Sequence, residues 1–94
     1  MTTAQLETRV VNRYGLHARP AMQLVQLANR YTSTIEVSNG TLTVDSKSIM
    51  SVMRLGAAKG ATLKFVADGE DALEAVAAMA KLVEDGFGEM NGTA

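Results

Sequence analysis

His17 is the one histidine among 94 residues, and it lies in the segment Gly15-Leu16-His17-Ala18-Arg19-Pro20-Ala21. Pro20 is tolerated only near a helix start, where the amide it lacks has no helical partner. The segment therefore predicts a helix beginning near His17–Ala18. The backbone amides of Ala18 and Arg19 then open that helix and find no carbonyl within it. Together with the helix dipole they form an anion site. Arg19 adds a planar fork of donors suited to phosphate oxygens. A nucleophilic nitrogen thus stands beside an oxyanion receptor within one short stretch of chain. That combination suits a phosphoryl group carried on imidazole. The attacking ring must be neutral, and a positive helix end disfavours its protonated form. A helix end is worth up to ~2 kcal/mol to a well-placed anion, and a hydrogen bond to a charged group ~1.5–3 kcal/mol. Those magnitudes hold a phosphoryl group without trapping it. The pattern offers no metal-ligand cluster, no cofactor motif and no second base, so acceptance and onward transfer are expected rather than turnover by this chain alone. A lone histidine at a loop–helix junction also serves as a plain cap or a solvated side chain. Gly15, Arg19 and Pro20 around it weigh against that plainer role.

A second segment of interest is Ser48-Ile49-Met50-Ser51-Val52-Met53-Arg54-Leu55, which predicts a two-turn helix closed by Gly56. It is apolar nearly all round, and so short a helix cannot bury every side. Ile49, Val52 and Met53 are expected to point inward, leaving Met50 exposed. Flexible, polarizable methionine suits a surface that adapts to partners, although core packing is the ordinary role of any one Met. Ser48 is placed to cap the helix with its hydroxyl. A phosphate on Ser48 would put about −1.5 to −2 charges into an apolar contact zone and disrupt docking. Lys47 is available to an acidic partner or to water.

The elements that must position these residues follow from periodicity. Gln5–Val11 alternates as a strand with one wet face. Asn12–Gly15 breaks the pattern as a loop. From Ala18 to about Tyr31, Ala21, Leu24, Val25 and Ala28 recur at helical spacing. Thr32–Ser38 and Thr41–Val44 read as strands joined at Asn39-Gly40, the strongest hairpin signal in the chain. Thr62–Ala67 is a further strand, and Asp68-Gly69 a turn. Glu70 to about Asp85 is an Ala-rich helix with a stripe of Leu73, Val76, Ala77, Ala80 and Val83, stopped at Gly86. The order β-α-β-β-α-β-α, with its hairpin, predicts an α+β two-layer sandwich with helices on one face of the sheet.

Length and composition bound the answer. Ninety-four residues make one domain at most. Leu, Ile, Val and Phe make 22 of the 94, above the ~20% below which disorder prevails. Nine basic residues against ten acidic ones, net charge −1, exclude a general nucleic-acid binder, which needs a cationic surplus. No apolar run approaches the ~18 residues of a membrane span. Met1–Gln5 lacks the basic start and apolar stretch of a signal peptide. With no cysteine, disulfide and thiolate chemistry are excluded. A single cytoplasmic domain is expected, without membrane insertion.

Gly15–Ala21, Ser46-Lys47-Ser48-Ile49-Met50-Ser51-Val52-Met53-Arg54-Leu55-Gly56, Ala58-Lys59-Gly60-Ala61 and the ending Gly86-Phe87-Gly88-Glu89 together resemble the HPr-like phosphocarriers of the bacterial phosphotransferase system. The resemblance runs from about Gln5 to Glu89, and its motifs are specific in combination. It implies an open-faced β-sandwich, four antiparallel strands covered by three helices, in one domain over 1–94. Its core would span about 5–89, with 90–94 a flexible tail. It implies a carrier, not an enzyme, that takes a phosphoryl group from enzyme I, itself charged by phosphoenolpyruvate, onto Nδ1 of His17. The group then passes to EIIA proteins or domains. Arg19 and the amides of Ala18 and Arg19 would contact the phosphoryl group. Ser48 would be a substrate of the ATP-dependent HPr kinase/phosphorylase, its modification opposing carrier traffic. Ile49, Met50 and Met53 would form a docking surface with the first helix, to which Met22 belongs. No metal or cofactor is implied, and a monomer is expected. Relatives that serve regulation only lack the histidine, which this chain keeps. Met22 resembles the nitrogen-related branch of the system, whereas the Ser48 segment resembles the sugar-related, kinase-regulated branch. Two alternatives stand beside the sugar-related carrier. One is nitrogen-related phosphotransfer; the other is a regulatory binding module for a transcription factor or enzyme, acting through Ile49–Met53 under serine phosphorylation.

Overall fold

A computed structural model describes residues 2–89; the tail expected at 90–94 lies outside the described residues. Strand β1, Thr2–Arg9, pairs antiparallel with β4, Thr62–Gly69, along its whole length, from Thr2 opposite Gly69 to Arg9 opposite Thr62. On its other side β4 pairs antiparallel with β2, Thr34–Ser38, which in turn pairs with β3, Thr43–Asp45. The sheet order is β1-β4-β2-β3. Helices α1, Ala18–Ala28, α2, Ile49–Met53, and α3, Ala72–Glu84, complete the expected β-α-β-β-α-β-α order. A short 3-10 turn, Gly86–Gly88, follows α3.

One hydrophobic cluster joins the two layers. Ile35, Val37, Leu63, Phe65 and Ala67 of the sheet meet Ala21, Leu24 and Ala28 of α1 and Ala72, Ala75, Val76, Met79 and Val83 of α3. These strand residues alternate with exposed or half-buried ones, as expected of a sheet with one covered face. Burying a Leu or Phe side chain contributes about 1.5–3 kcal/mol, so this face supplies the main favourable energy of the fold. The expected α1 stripe of Ala21, Leu24, Val25 and Ala28 is buried.

The structure corrects several sequence expectations. Strand β1 starts at Thr2 rather than Gln5, because pairing with β4 gives the polar Thr2 and Thr3 a ladder that composition does not signal. Leu6 is exposed at this sheet edge. Asp68-Gly69 is the end of β4, not a turn. The α3 stripe is rotated: Ala72, Ala75, Val76, Met79, Ala80 and Val83 are buried, while Leu73 and Ala77 face outward. Alanine lets the helix sit close to the sheet, and the bulk comes from Phe65 and Met79 instead. The hairpin loop spans four residues, since Ser38 pairs with Thr43. Asn39 accounts for this: its Oδ1 accepts the Thr41 and Leu42 amides at 2.9 and 2.8 Å, a side-chain turn that widens the loop.

Candidate functional site

Strand β1 leaves the sheet at Arg9 and the chain enters the loop that presents His17. Val10 keeps the loop tied to the turn before β4: its amide reaches Ala61 O at 2.9 Å, and the Gly60 amide reaches Val10 O at 2.7 Å. Leu16 N donates to Ala57 O at 2.8 Å. Gly15 sits between these ties with φ 67°, the left-handed region that glycine tolerates. His17 is then the N-cap of α1, its backbone extended at φ −81°, ψ −171°, and its carbonyl accepts the Ala21 amide at 2.9 Å. Among the described residues nothing accepts from the amides of Ala18 and Arg19. The expected helix opening on two free donors is therefore present, with Pro20 buried behind it. Arg19 is exposed and forms no ion pair or hydrogen bond among the described residues.

The imidazole has a partner that the sequence reading leaves out. Nε2 of His17 lies 3.1 Å from each carboxylate oxygen of Glu89. The His17 side chain is 36% exposed and that of Glu89 1%. The 3-10 turn delivers this carboxylate. Phe87 is buried there at φ 55°, and the Glu89 amide donates to Gly86 O at 2.9 Å. Asn12, fully buried, holds the carboxylate from the other side. Its Nδ2 donates to Glu89 Oε1 at 3.0 Å and to Gly15 O at 2.7 Å. Both neighbours are acceptors, which fixes the amide orientation. Its Oδ1 is left buried without a partner among the described residues. Burial pushes the Glu89 carboxyl up, but hydrogen bonds from His17 and Asn12, with the charges of His17 and Arg19, outweigh it and hold it below its ordinary value. Glu89 thus presents a hydrogen-bond acceptor to Nε2 of the ring. Nδ1 of His17 has no partner among the described residues. Tyr14, exposed beneath Arg13, stands edge-on to the ring with centroids 6.3 Å apart.

The Ser48 segment forms a separate feature. Helix α2 covers Ile49–Met53, shorter than the expected 48–55. Ser48 is its N-cap, with Oγ accepting the Ser51 amide at 3.3 Å. Asn29 at the end of α1 donates to Lys47 O at 3.2 Å, and Lys47 Nζ donates to Tyr31 O at 2.7 Å. These bonds tie the entry of α2 to the exit of α1. Val52 is buried and Ile49 partly so. Met53, expected to point inward, is exposed, because Val52 and Leu55 fill the space under so short a helix. Met50, at 80% exposure, and Met22 on α1 are exposed as well. No group of three or more His, Cys, Asp or Glu able to hold a metal occurs among the described residues. None of the helices described is long and apolar enough to cross a membrane.

Fold and site together define a small α+β domain built to present one histidine at the mouth of a helix. The model of the family described as the PTS HPr component phosphorylation site matches residues 4–85. The phosphocarrier protein HPr of Cupriavidus necator is 42% identical over 85 residues, covering 90% of this chain and 96% of that protein. The multiphosphoryl transfer protein of Haemophilus influenzae is 42% identical over 81 residues, which are 83% of this chain and 16% of that one. The crystal structure of HPr-C-His from Thermoanaerobacter tengcongensis superposes with a TM-score of 0.83 at 40% identity, covering 95% of this chain and 98% of that one. The chain belongs to the HPr family of phosphotransferase-system phosphocarriers.

Proposed function

We propose that this chain accepts a phosphoryl group from phospho-enzyme I onto Nδ1 of His17 and passes it to EIIA-type proteins. The observation that carries the reading is the divided histidine. Nε2 is engaged by Glu89 while Nδ1 is unpartnered among the described residues, on a side chain 36% exposed. Nδ1 attacks phosphorus as the donor's phosphorus–nitrogen bond breaks, and the departing electron pair stays with the donor. In the next transfer the Nδ1–phosphorus bond breaks in the same way. Arg19 and the amides of Ala18 and Arg19 hold the phosphoryl oxygens, since such transfer needs chiefly alignment and charge stabilisation. Ile49, Met50, Met53 and Met22 serve as the docking surface. Phosphorylation of Ser48 by an HPr kinase/phosphorylase obstructs that surface by charge. The protein acts as a cytoplasmic monomer in this reading.

The test is incubation with enzyme I and labelled phosphoenolpyruvate. Acid-labile, base-stable label is expected on the native chain and none on His17→Ala. Label that survives His17→Ala, or none on the native chain, overturns the reading. The 80% exposure of Met50 favours one second reading, a regulatory binding module acting through Ile49–Met53. In that case His17→Ala keeps full partner affinity and regulatory effect.

A further inference from the structure

We propose that Glu89 and Asn12 are positioning residues for transfer at His17, Glu89 by fixing the tautomer of the ring and Asn12 by fixing Glu89. The inference rests on the reading of His17 as the phosphoryl acceptor. A neutral imidazole carries one proton on either nitrogen, and the nitrogen that donates leaves the other with the lone pair. Both oxygens of Glu89 face Nε2 at 3.1 Å. An ionised carboxylate only accepts, so the proton resides on Nε2 and the nucleophilic pair on Nδ1.

The same contact serves the product. When Nδ1 bonds to phosphorus, the proton stays on Nε2 and the ring becomes cationic. The carboxylate already faces that proton, so the positive charge develops beside a fixed negative one. Preorganised charge of this kind needs no rearrangement at the moment of reaction. No proton has to leave or arrive in either direction of transfer.

Glu89 can do this because it cannot turn away. Its side chain is 1% exposed, and Asn12 donates to Oε1 at 3.0 Å while bound to the Gly15 carbonyl at 2.7 Å. Asn12 thereby links the carboxylate to the loop that carries His17. Its second polar atom is buried without a partner among the described residues, which carries a desolvation cost. That cost is tolerated at a site where the amide holds something in place. The family match ends at residue 85 and so includes Asn12 and His17 but not Glu89.

The experiment compares the native chain with Glu89→Gln and Asn12→Ala. Nitrogen-15 NMR of the neutral histidine reads the tautomer, and rapid-quench labelling from phospho-enzyme I reads transfer. The native ring is expected almost wholly as the Nε2–H form. Glu89→Gln is expected to raise the Nδ1–H population and slow transfer about 10- to 100-fold, the span set by one charge-assisted hydrogen bond. Asn12→Ala keeps the charge of Glu89 and frees its orientation, so a smaller change in both readouts is expected. A native ring in the Nδ1–H form, or variants that keep the native tautomer and transfer rate, overturns the positioning role. Should Glu89→Gln fail to fold, the native tautomer and Asn12→Ala decide between the same outcomes. A native chain that takes no label from enzyme I instead removes the underlying reading of His17, whatever the tautomer.

Discussion

The β-carbon that Gly15 lacks would stand 2.4 Å from the carbonyl oxygen of Ala57 and 2.9 Å from the Cα of Ala58. The loop presenting His17 thus lies directly on the turn that precedes β4, with backbone against backbone. Gly15→Ala meets both this contact and a left-handed φ of 67°. We expect a loss of about 1–3 kcal/mol, the cost of a strained backbone at such a position. Thermal unfolding measures it, and labelling from enzyme I should fall because His17 is displaced. Unchanged stability would show that the two segments separate easily.

Asp71 ties the start of α3 to the approach to β2. It accepts the Ser33 hydroxyl and the Thr32 and Ser33 amides, both at 2.9 Å. The Ser33 hydroxyl chiefly, then the Thr32 amide, lower its carboxyl from 3.8 to about 2. A depressed carboxyl contributes stability that is whole above its unfolded value and is lost as pH falls through the folded one. The native melting temperature should therefore decline between the ordinary 3.8 and about 2. Asp71→Asn should start lower and show a shallower decline over that window. Glu89, also held low, acts in the same direction and leaves a residual slope. Parallel curves for the two proteins would contradict the assignment.

Ser48 allows cap and charge to be separated. Its hydroxyl accepts the Ser51 amide, so Ser48→Ala should lose about 0.5–2 kcal/mol of stability. Ser48→Asp keeps a capping oxygen and should stay within about 0.5 kcal/mol of the native chain. If added charge disrupts docking, only Ser48→Asp should markedly reduce labelling by enzyme I. Equal labelling of both variants would dissociate Ser48 from carrier traffic.

Met50 and Val52 lie two positions apart on α2 with opposite roles. Met50 is 80% exposed and Val52 fully buried. Met50→Ser should leave the melting temperature nearly unchanged and raise the KM for phosphorylation by enzyme I about 5- to 30-fold, as expected of a docking side chain worth 1–2 kcal/mol. Val52→Ala should destabilise by about 1–3 kcal/mol with KM preserved in the folded fraction. Equilibrium unfolding beside initial-rate kinetics separates the two effects.

Local features of the fold are legible in the sequence. Pro20, the α1 stripe and the loop at Asn12–Gly15 located the helix mouth and put His17 at it. Ser48 is legible as a cap, because its hydroxyl acts on an amide three residues away. Misplacements arose where tertiary packing competes with local pattern. Leu73 fits a helical stripe as well as Ala72 does, yet the sheet accepts the smaller residue and leaves the leucine outside. Thr2 and Thr3 look like a polar terminus until β4 offers them a ladder.

Periodicity, capping and glycine–proline punctuation act over a few residues, and so residue types in order suffice to place His17 at the mouth of α1 beside two free amides and to give the sheet-and-helix class. The carboxylate that orients the ring comes from 72 positions away, and the amide that holds it is 77 positions from its partner. No local pattern reports a contact across that separation. Only the return of α3 along the sheet and the turn at Phe87 bring Glu89 under His17, where its buried carboxylate meets Nε2 at 3.1 Å.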